Sequence, residues 1–269
     1  MHALLAVLLL MLSQVGPATA AAVPSGRTIE LRADAVTLRQ GGAVVEARGR
    51  VRVTDGRNRM AAEHAVYTLR ARRIALSGSV TIATPQGNLE ADAATAVLAA
   101  GNAVETIDAA GRVTLEAQQR VVRAERLVYA VSSGAVTADG GVEAFIPPDL
   151  TARGRTLLMK SGEAATLRGS ARVQTTDGYV EGDRIDISER TQVAFARGNV
   201  VGVFGETRIT AAAATFYRRE RRAVFRDGVR VTRPGRTIQA ESVTLFLQDR
   251  RIVAEGETTI RVEDEPPRP

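Results

Sequence analysis

The sequence has no cysteine and no tryptophan, and only 4% of its 269 residues are aromatic. Without cysteine there is no disulfide framework and no thiol chemistry, which excludes the small disulfide-stapled secreted domains. Without large rings, the interior has to be built from Ala, Val, Leu and Ile. The chain is nevertheless 45% hydrophobic and contains 24 glycines. We therefore expect thin, regular layers with frequent bends.

Histidine is also scarce, because the chain has only His2 and His64. His2 falls in the apolar N-terminal segment, and His64 lies among polar residues with no plausible partner, which indicates a solvated side chain. A nucleophile–histidine–acid arrangement or a histidine metal site lacks its residues. We predict no enzyme activity, no metal site and no cofactor.

Residues 1–20 have the pattern of a secretory signal peptide. An apolar run from Met1 to Leu12 is followed by the small-x-small sequence Ala18-Thr19-Ala20. The run is shorter than the about 20 residues of a membrane span, so a cleaved signal is favoured over an uncleaved inner-membrane tether. The mature protein is expected to be exported with a net charge of +6, which attracts polyanions. Nucleic acid is not an expected partner, because stacking aromatics are few.

A repeat of about 29 residues organises the rest of the chain. Its glycines are spaced by 29, 33, 29, 29, 29, 30 and 28 residues. They are Gly49, Gly78, Gly111, Gly140, Gly169, Gly198, Gly228 and Gly256. A small residue precedes each glycine, at Ala33, Ala62, Ala91, Ala124, Ala152, Gly182, Ala211 and Ala240.

The apolar columns of the repeat show how its strands bend. Residues two before and five after the small residue are apolar in every unit, for example Met60 and Tyr67 around Ala62. These offsets have opposite parity, so the strand must bulge or turn a corner between them to keep both side chains on one face. A carboxylate follows the small residue in six units, as at Glu63. We interpret it as a bend residue that accepts a local backbone N–H, because a chemical site is rarely repeated six times.

Each unit therefore contains two bent antiparallel strands that cannot bury their apolar face alone, so the units stack. We predict an all-β fold, an elongated open β-jellyroll or stacked antiparallel β-solenoid of about sixteen bent strands in eight repeats. The repeats cover 21–146 and 149–262, two halves that we expect to be continuous. The fifth unit is the most degenerate, with Arg153 at its corner and Pro147-Pro148 before it. Residues 263–269 are expected to form a disordered tail.

The repeat resembles the OstA-like (LptA/LptC-type) periplasmic lipopolysaccharide-transport family. The pattern is an apolar residue, a small residue and an acid, then an aromatic residue or Leu, a basic turn and a glycine followed by a Val-rich strand. It is clearest over 62–80, 124–142 and 182–200. The resemblance implies an apolar groove for the acyl chains of lipopolysaccharide. It also implies end-to-end assembly with other lipopolysaccharide-transport components between the inner and outer membranes of a Gram-negative cell, as the bridge or the membrane-tethered member.

Two sets of residues are predicted to contact such a lipid. Ten apolar side chains are expected to line the groove, namely Leu38, Tyr67, Tyr129, Leu157, Ile187, Phe216, Leu245, Val80, Val113 and Val200. Basic residues of the turns are expected to contact phosphorylated head groups along one rim. They are Arg70, Arg72, Arg73, Arg218, Arg219, Arg221, Arg222, Arg250 and Arg251. The alternative is an exported structural or adhesive β-solenoid with a filled core.

The two ends of the stack are expected to be open sheet edges. The first strand, near 29–38, and the last, near 258–262, are as apolar as the interior strands, and no capping helix is predicted. Unpaired backbone groups at such edges invite another strand. The sequence therefore predicts strand addition at both ends, with pathway partners or head to tail with a second copy.

Overall fold

The computed structural model describes residues 29–55, 58–84, 87–99, 104–117, 120–130, 132–147, 150–160, 164–188, 190–249 and 251–262. Over this part of the chain the fold is all-β, as predicted. The predicted signal peptide and the predicted tail both lie outside the described residues.

Eighteen strands follow one another along the described chain. They are β1 (Ile29–Arg32), β2 (Ala35–Arg39), β3 (Val44–Asp55), β4 (Asn58–Thr68), β5 (Arg73–Thr84), β6 (Gly87–Leu98), β7 (Val104–Ala117), β8 (Arg120–Ala130), β9 (Ala135–Ile146), β10 (Leu150–Lys160), β11 (Ala164–Thr175), β12 (Gly178–Ser188), β13 (Val193–Phe204), β14 (Thr207–Tyr217), β15 (Arg222–Arg233), β16 (Arg236–Phe246), β17 (Arg251–Glu255) and β18 (Thr259–Val262).

All eighteen strands belong to one open antiparallel sheet, and from β2 to β17 each strand pairs with the strands before and after it in the sequence, except that β2 and β17 have only one such neighbour. The strands β1 and β2 both pair with β3, and β17 and β18 both pair with β16. Each of these short pairs is therefore one bent strand in two segments. The eighteen segments make sixteen bent strands, which confirms the predicted architecture.

A fold line crosses the sheet where every long strand bends. Between β3 and β4, Arg48 pairs with His64 and Val51 pairs with Ala62, so Gly49 and Arg50 together lie opposite the single residue Glu63. Both bulge residues have positive φ, 71° for Gly49 and 46° for Arg50. The same register shift recurs on both sides of each corner residue. The bulge predicted from the parity of the apolar columns is confirmed.

The fold line divides every strand into two arms, whose apolar faces enclose a shared interior. Arm 1 ends at rim 1, the row of turns that joins β2 to β3, β4 to β5 and so on to β16 and β17. Arm 2 ends at rim 2, the turns that join β3 to β4, β5 to β6 and so on to β15 and β16. The core is one cluster of Ala, Val, Leu and Ile side chains from both arms, which runs from β3 to β16 with a single fully buried ring, Phe225.

Two units have a different register from the one that the sequence predicted. In the fifth unit Arg153 pairs with Glu143, and it is Arg155 that lies opposite the bulges, with its side chain over Gly169. Arg153 is therefore not the corner residue. The corner lies 15 residues after Gly140, against 14 from Gly49 to Glu63, because the preceding rim 2 turn has one extra residue. In the seventh unit the bulge is Asp227-Gly228, so the glycine is its second residue. Counted from the first bulge residue, the spacings of 30 and 28 become 29 and 29.

Candidate functional site

The ten predicted groove residues are all placed on the interior face by strand alternation, but their exposure differs. Five are fully buried, namely Val80, Val113, Leu157, Val200 and Leu245. Four are half-buried, namely Tyr67, Tyr129, Ile187 and Phe216. Leu38, on the edge strand β2, is 69% exposed.

Between the ends, the interior is closed and packed in this conformation. Phe216 and Phe225 meet edge to face with ring centroids 6.0 Å apart, which is an arrangement that aromatic pairs prefer. The first half is filled differently, because its buried positions near the fold line are mostly alanines such as Ala47, Ala65 and Ala94. The arms are in contact in the second half, where Phe225 of arm 1 lies over Gly202 of arm 2 so closely that an added Cβ would come within 2.9 Å of the Phe225 ring.

Among the residues that the structure describes, none covers either end of the interior. At the N-terminal end, Val36 and Leu38 point to the interior side yet are 52% and 69% exposed. At the C-terminal end, Ile260 and Val262 are 62% and 63% exposed and pair only toward β16. These strands leave one row of backbone N–H and C=O groups unpaired in the sheet. The predicted edges are therefore present, with apolar side chains beside them.

The predicted rim arginines that the structure describes lie either in the turns of rim 1 or at the first residue of the strand that follows such a turn. Arg70, Arg72, Arg73 and Arg219 are exposed, whereas Arg250 lies outside the described residues. Others make local contacts. The guanidinium of Arg222 lies 4.3 Å from the Tyr217 ring centroid, and that of Arg251 lies 4.1 Å from the Phe246 ring centroid.

One rim arginine reaches the opposite rim. The Nη2 of Arg221, in the turn between β14 and β15, lies 3.9 Å from Oδ2 of Asp177, in the turn between β11 and β12. The first turn belongs to rim 1 and the second to rim 2, so the two rims meet here. Asp177 was missed by sequence reasoning, because it occupies an ordinary turn and no repeat column.

Three corner carboxylates, Asp34, Asp92 and Asp183, accept hydrogen bonds from side chains and not from the backbone N–H that the sequence predicted. Asp34 accepts hydrogen bonds from Arg50 Nε at 3.0 and 3.1 Å, and Asp183 accepts one from the Asn199 side chain at 3.0 Å. The partner is thus the side chain of the second bulge residue on the next strand. The hydrogen bonds and charge of Arg50 hold the pKa of Asp34 below its usual value.

A second electrostatic cluster surrounds Glu46 on the outer face of arm 1. Arg39 Nη2 and Arg48 Nε lie 2.7 and 2.8 Å from its carboxylate oxygens. His64 Nε2 lies 3.0 Å from Oε1, so the prediction that His64 has no partner was wrong. The His64 and Arg48 hydrogen bonds lower the pKa of Glu46. This cluster joins the edge strand β2 to β3 and β4.

Within the described ranges, no group of three or more His, Asp or Glu side chains is arranged to hold a metal ion. The same part of the chain contains no helix that is long and apolar enough to cross a membrane.

Comparisons with known proteins show a similarity to solved structures. No protein-family model matches the chain, and no curated protein matches it. Among solved structures, the chain is similar to LptH from Pseudomonas aeruginosa, described as the LptA-homologous periplasmic component of the lipopolysaccharide transport device. The identity is 14%, the TM-score is 0.28, and the match covers 54% of this chain and 95% of LptH. A similarity at this level does not assign a function, which has to be inferred from the geometry of the chain itself.

Proposed function

We propose that this protein is a periplasmic carrier of acylated lipid, with lipopolysaccharide as its cargo, and that the acyl chains are held between the two arms. The observation that carries the proposal is an apolar interior that continues through all the repeats and is uncovered at both ends, at Leu38 and Ile260. A monomeric solenoid normally caps such ends.

The energetics of lipid transfer suit such an interior. Shielding hydrocarbon from water is worth about 0.8 kcal/mol per CH₂, so an acyl chain needs a long apolar shelter and no chemical step. The alanine-rich first half supports the proposal, because its small side chains would leave room for an acyl chain once the two arms move apart. In this proposal the exposed rim arginines, such as Arg70 and Arg219, contact phosphate groups of the lipid.

A filled structural solenoid is the second candidate, and the closed interior favours it. Val80, Val113 and Val200 are each only 1% exposed. If the arms never separate, these side chains form an ordinary dry core, and the exported protein is structural or adhesive.

Photo-cross-linking distinguishes the two candidates. A photoreactive residue at position 129, on the interior face of β8, is expected to form an adduct with lipopolysaccharide in the carrier and none in a filled core. Tyr129→Asp is expected to abolish lipid binding and to destabilise the fold by several kcal/mol, because it buries an unpaired carboxylate.

The matched control for that variant is Val97→Asp. Val97 lies on the outer face of β6 opposite Arg73, where a carboxylate stays exposed beside a cation. This variant is expected to keep both stability and lipid binding. Equal loss of binding in both variants would contradict the assignment of the two faces.

We further propose that the ends join by strand addition, either to other lipopolysaccharide-transport components or head to tail with a second copy. Continuing the repeat register across a junction sets Ile260 of one copy opposite Leu31 of the next, and Ile252 opposite Leu38. On the outer face, Arg261 then lies opposite Glu30. The apolar column continues across the junction and the charges are complementary.

A further inference from the structure

The contact between the two rims lies at the open side of the folded sheet, opposite the fold line. Asp177 and Arg221 come from turns that are three strands apart along the stack. Because the sheet twists, the two arms cross at an angle, and turns of different units meet. We call the place where turn 176–177 meets turn 218–221 the seam.

The interior next to the seam is closed to solvent. Val180, on β12, follows the rim 2 turn and is buried. Ala223 and Phe225, on β15, follow the rim 1 turn and are fully buried. An acyl chain can reach these side chains from the side only if the two rims move apart.

The fold line opposite the seam has the construction of a hinge. Each long strand that begins at rim 1 crosses it through two residues that lie outside the regular pairing, such as Gly198 and Asn199 in β13. The ladder resumes on both sides of the bulge. The bulge residues can therefore accommodate a change in the angle between the arms, while the strand pairing within each arm is kept.

The contact at the seam is of a kind that can break. The side chains of Arg221 and Asp177 are 46% and 61% exposed, and their 3.9 Å separation is at the long end for an ion pair. Such surface pairs contribute little to stability and are screened by salt. The ion pair at the seam therefore holds the two rims together only weakly.

We propose that the seam is a gate, and that the rims separate at Asp177 and Arg221, with the arms turning about the fold line, to admit acyl chains to the interior. This inference rests on the proposed lipid-carrier function and adds where the closed interior opens.

The test joins the two rims covalently. The chain has no cysteine, so Asp177→Cys with Arg221→Cys introduces a unique pair. A short bis-maleimide joins them, because an arginine-to-aspartate contact separates Cα atoms further than a disulfide spans. The readout is the rate and extent of binding of fluorescent lipopolysaccharide by the full chain. The cross-linked protein is expected to bind at least tenfold more slowly than the same variant alkylated with N-ethylmaleimide.

A second cross-link is the matched control. Ala43→Cys with Leu69→Cys joins two turns of rim 1 that are already hydrogen-bonded to each other, because the Leu69 N–H donates to the Ala43 carbonyl oxygen at 3.0 Å. It leaves the seam free and is expected to keep normal uptake. Equal uptake by the seam-cross-linked and alkylated proteins would overturn the gate. If the unmodified chain itself bound no lipid, the carrier function would fall, and the gate with it.

Discussion

At the residue scale, Glu46 is the most confined carboxylate for which the structure shows ion pairs. Its side chain is only 9% exposed, and it contacts Arg39, Arg48 and His64 from three adjacent strands. Those contacts hold its pKa below the usual value of 4.5. Since β2 is an edge strand that pairs only with β3, Glu46 ties this edge of arm 1 to the rest of the sheet.

The lowered pKa of Glu46 predicts a specific dependence of stability on pH. A carboxyl whose pKa is lower in the folded state stabilises the fold fully above its unfolded pKa, and this stabilisation is lost as the pH falls through the folded pKa. We expect Glu46→Gln to be less stable than the wild type at about pH 7, and the difference to shrink at about pH 3. Urea denaturation at both pH values measures it.

The control for this prediction is Glu90→Gln, which changes an exposed carboxylate on β6. It is expected to leave stability nearly unchanged at both pH values. A Glu46→Gln deficit of the same size at low and neutral pH would show that the contacts of Glu46 act by packing and not by charge.

At the element scale, the corner residue and the bulge glycine of the next strand depend on each other. The Glu63 side chain lies over Gly78, where an added Cβ would come within 2.7 Å of the Glu63 Cβ. In the seventh unit the corner residue is Ala212, and the first bulge residue opposite it is Asp227. A glycine is thus required at a bulge that a corner carboxylate covers. A residue with a side chain is tolerated at a bulge that no carboxylate covers.

This dependence predicts unequal costs for two glycine substitutions. Gly78→Ala introduces both positive-φ strain and the clash with Glu63, and we expect a loss of about 2–3 kcal/mol. Gly228→Ala has the same kind of φ, +70°, but nothing lies within 4 Å of the new Cβ, so about 1 kcal/mol is expected. Thermal or urea unfolding gives both values.

A double-mutant cycle isolates the clash. Glu63→Ala is expected to recover part of the loss caused by Gly78→Ala, because it removes the atoms that the new Cβ meets. Strict additivity of the two substitutions would refute the proposed coupling of corner and bulge.

The elements were predictable from the sequence because their cause is local. Apolar residues at offsets of opposite parity, such as Met60 and Tyr67, can share one face only through a bulge, and the structure has it. The fifth and seventh units were misaligned for a physical reason. Glycine can serve as either residue of a positive-φ bulge, and Arg155 takes a position held by carboxylates in six other units.

At the scale of the whole molecule, the closed interior was not predictable. It depends on the angle between the arms, and the rim contact between Asp177 and Arg221 joins residues that no repeat column relates. The open ends were predictable, because Leu38 and Ile260 continue apolar columns that no segment among residues 29–262 described by the structure covers.

The open ends predict self-association of a defined register. A copy with Ile260→Cys and a copy with Leu31→Cys are expected to form a disulfide under mild oxidation, because the repeat register sets these positions opposite each other. Because each junction leaves a new open end, assembly is expected to give rods that lengthen with concentration in light scattering.

The control pairs Ile260→Cys with Glu30→Cys, which is one position out of register and faces outward. It is expected to form little disulfide. A strict monomer at high concentration, without the Ile260–Leu31 cross-link, would rule out pairing between copies and leave only other partners for the ends.

The placement of every internal corner residue between two bulges, as Glu63 lies between Gly49 and Gly78, has a consequence for how such chains change in evolution. Each unit meets its neighbours through the same register, so one hairpin can be duplicated or deleted and the strands on either side still find matching partners. Two strands add about 9.6 Å to the stack. The number of repeats therefore sets the length of the stack. Duplication or deletion of one hairpin changes this length without altering the contacts between the other units.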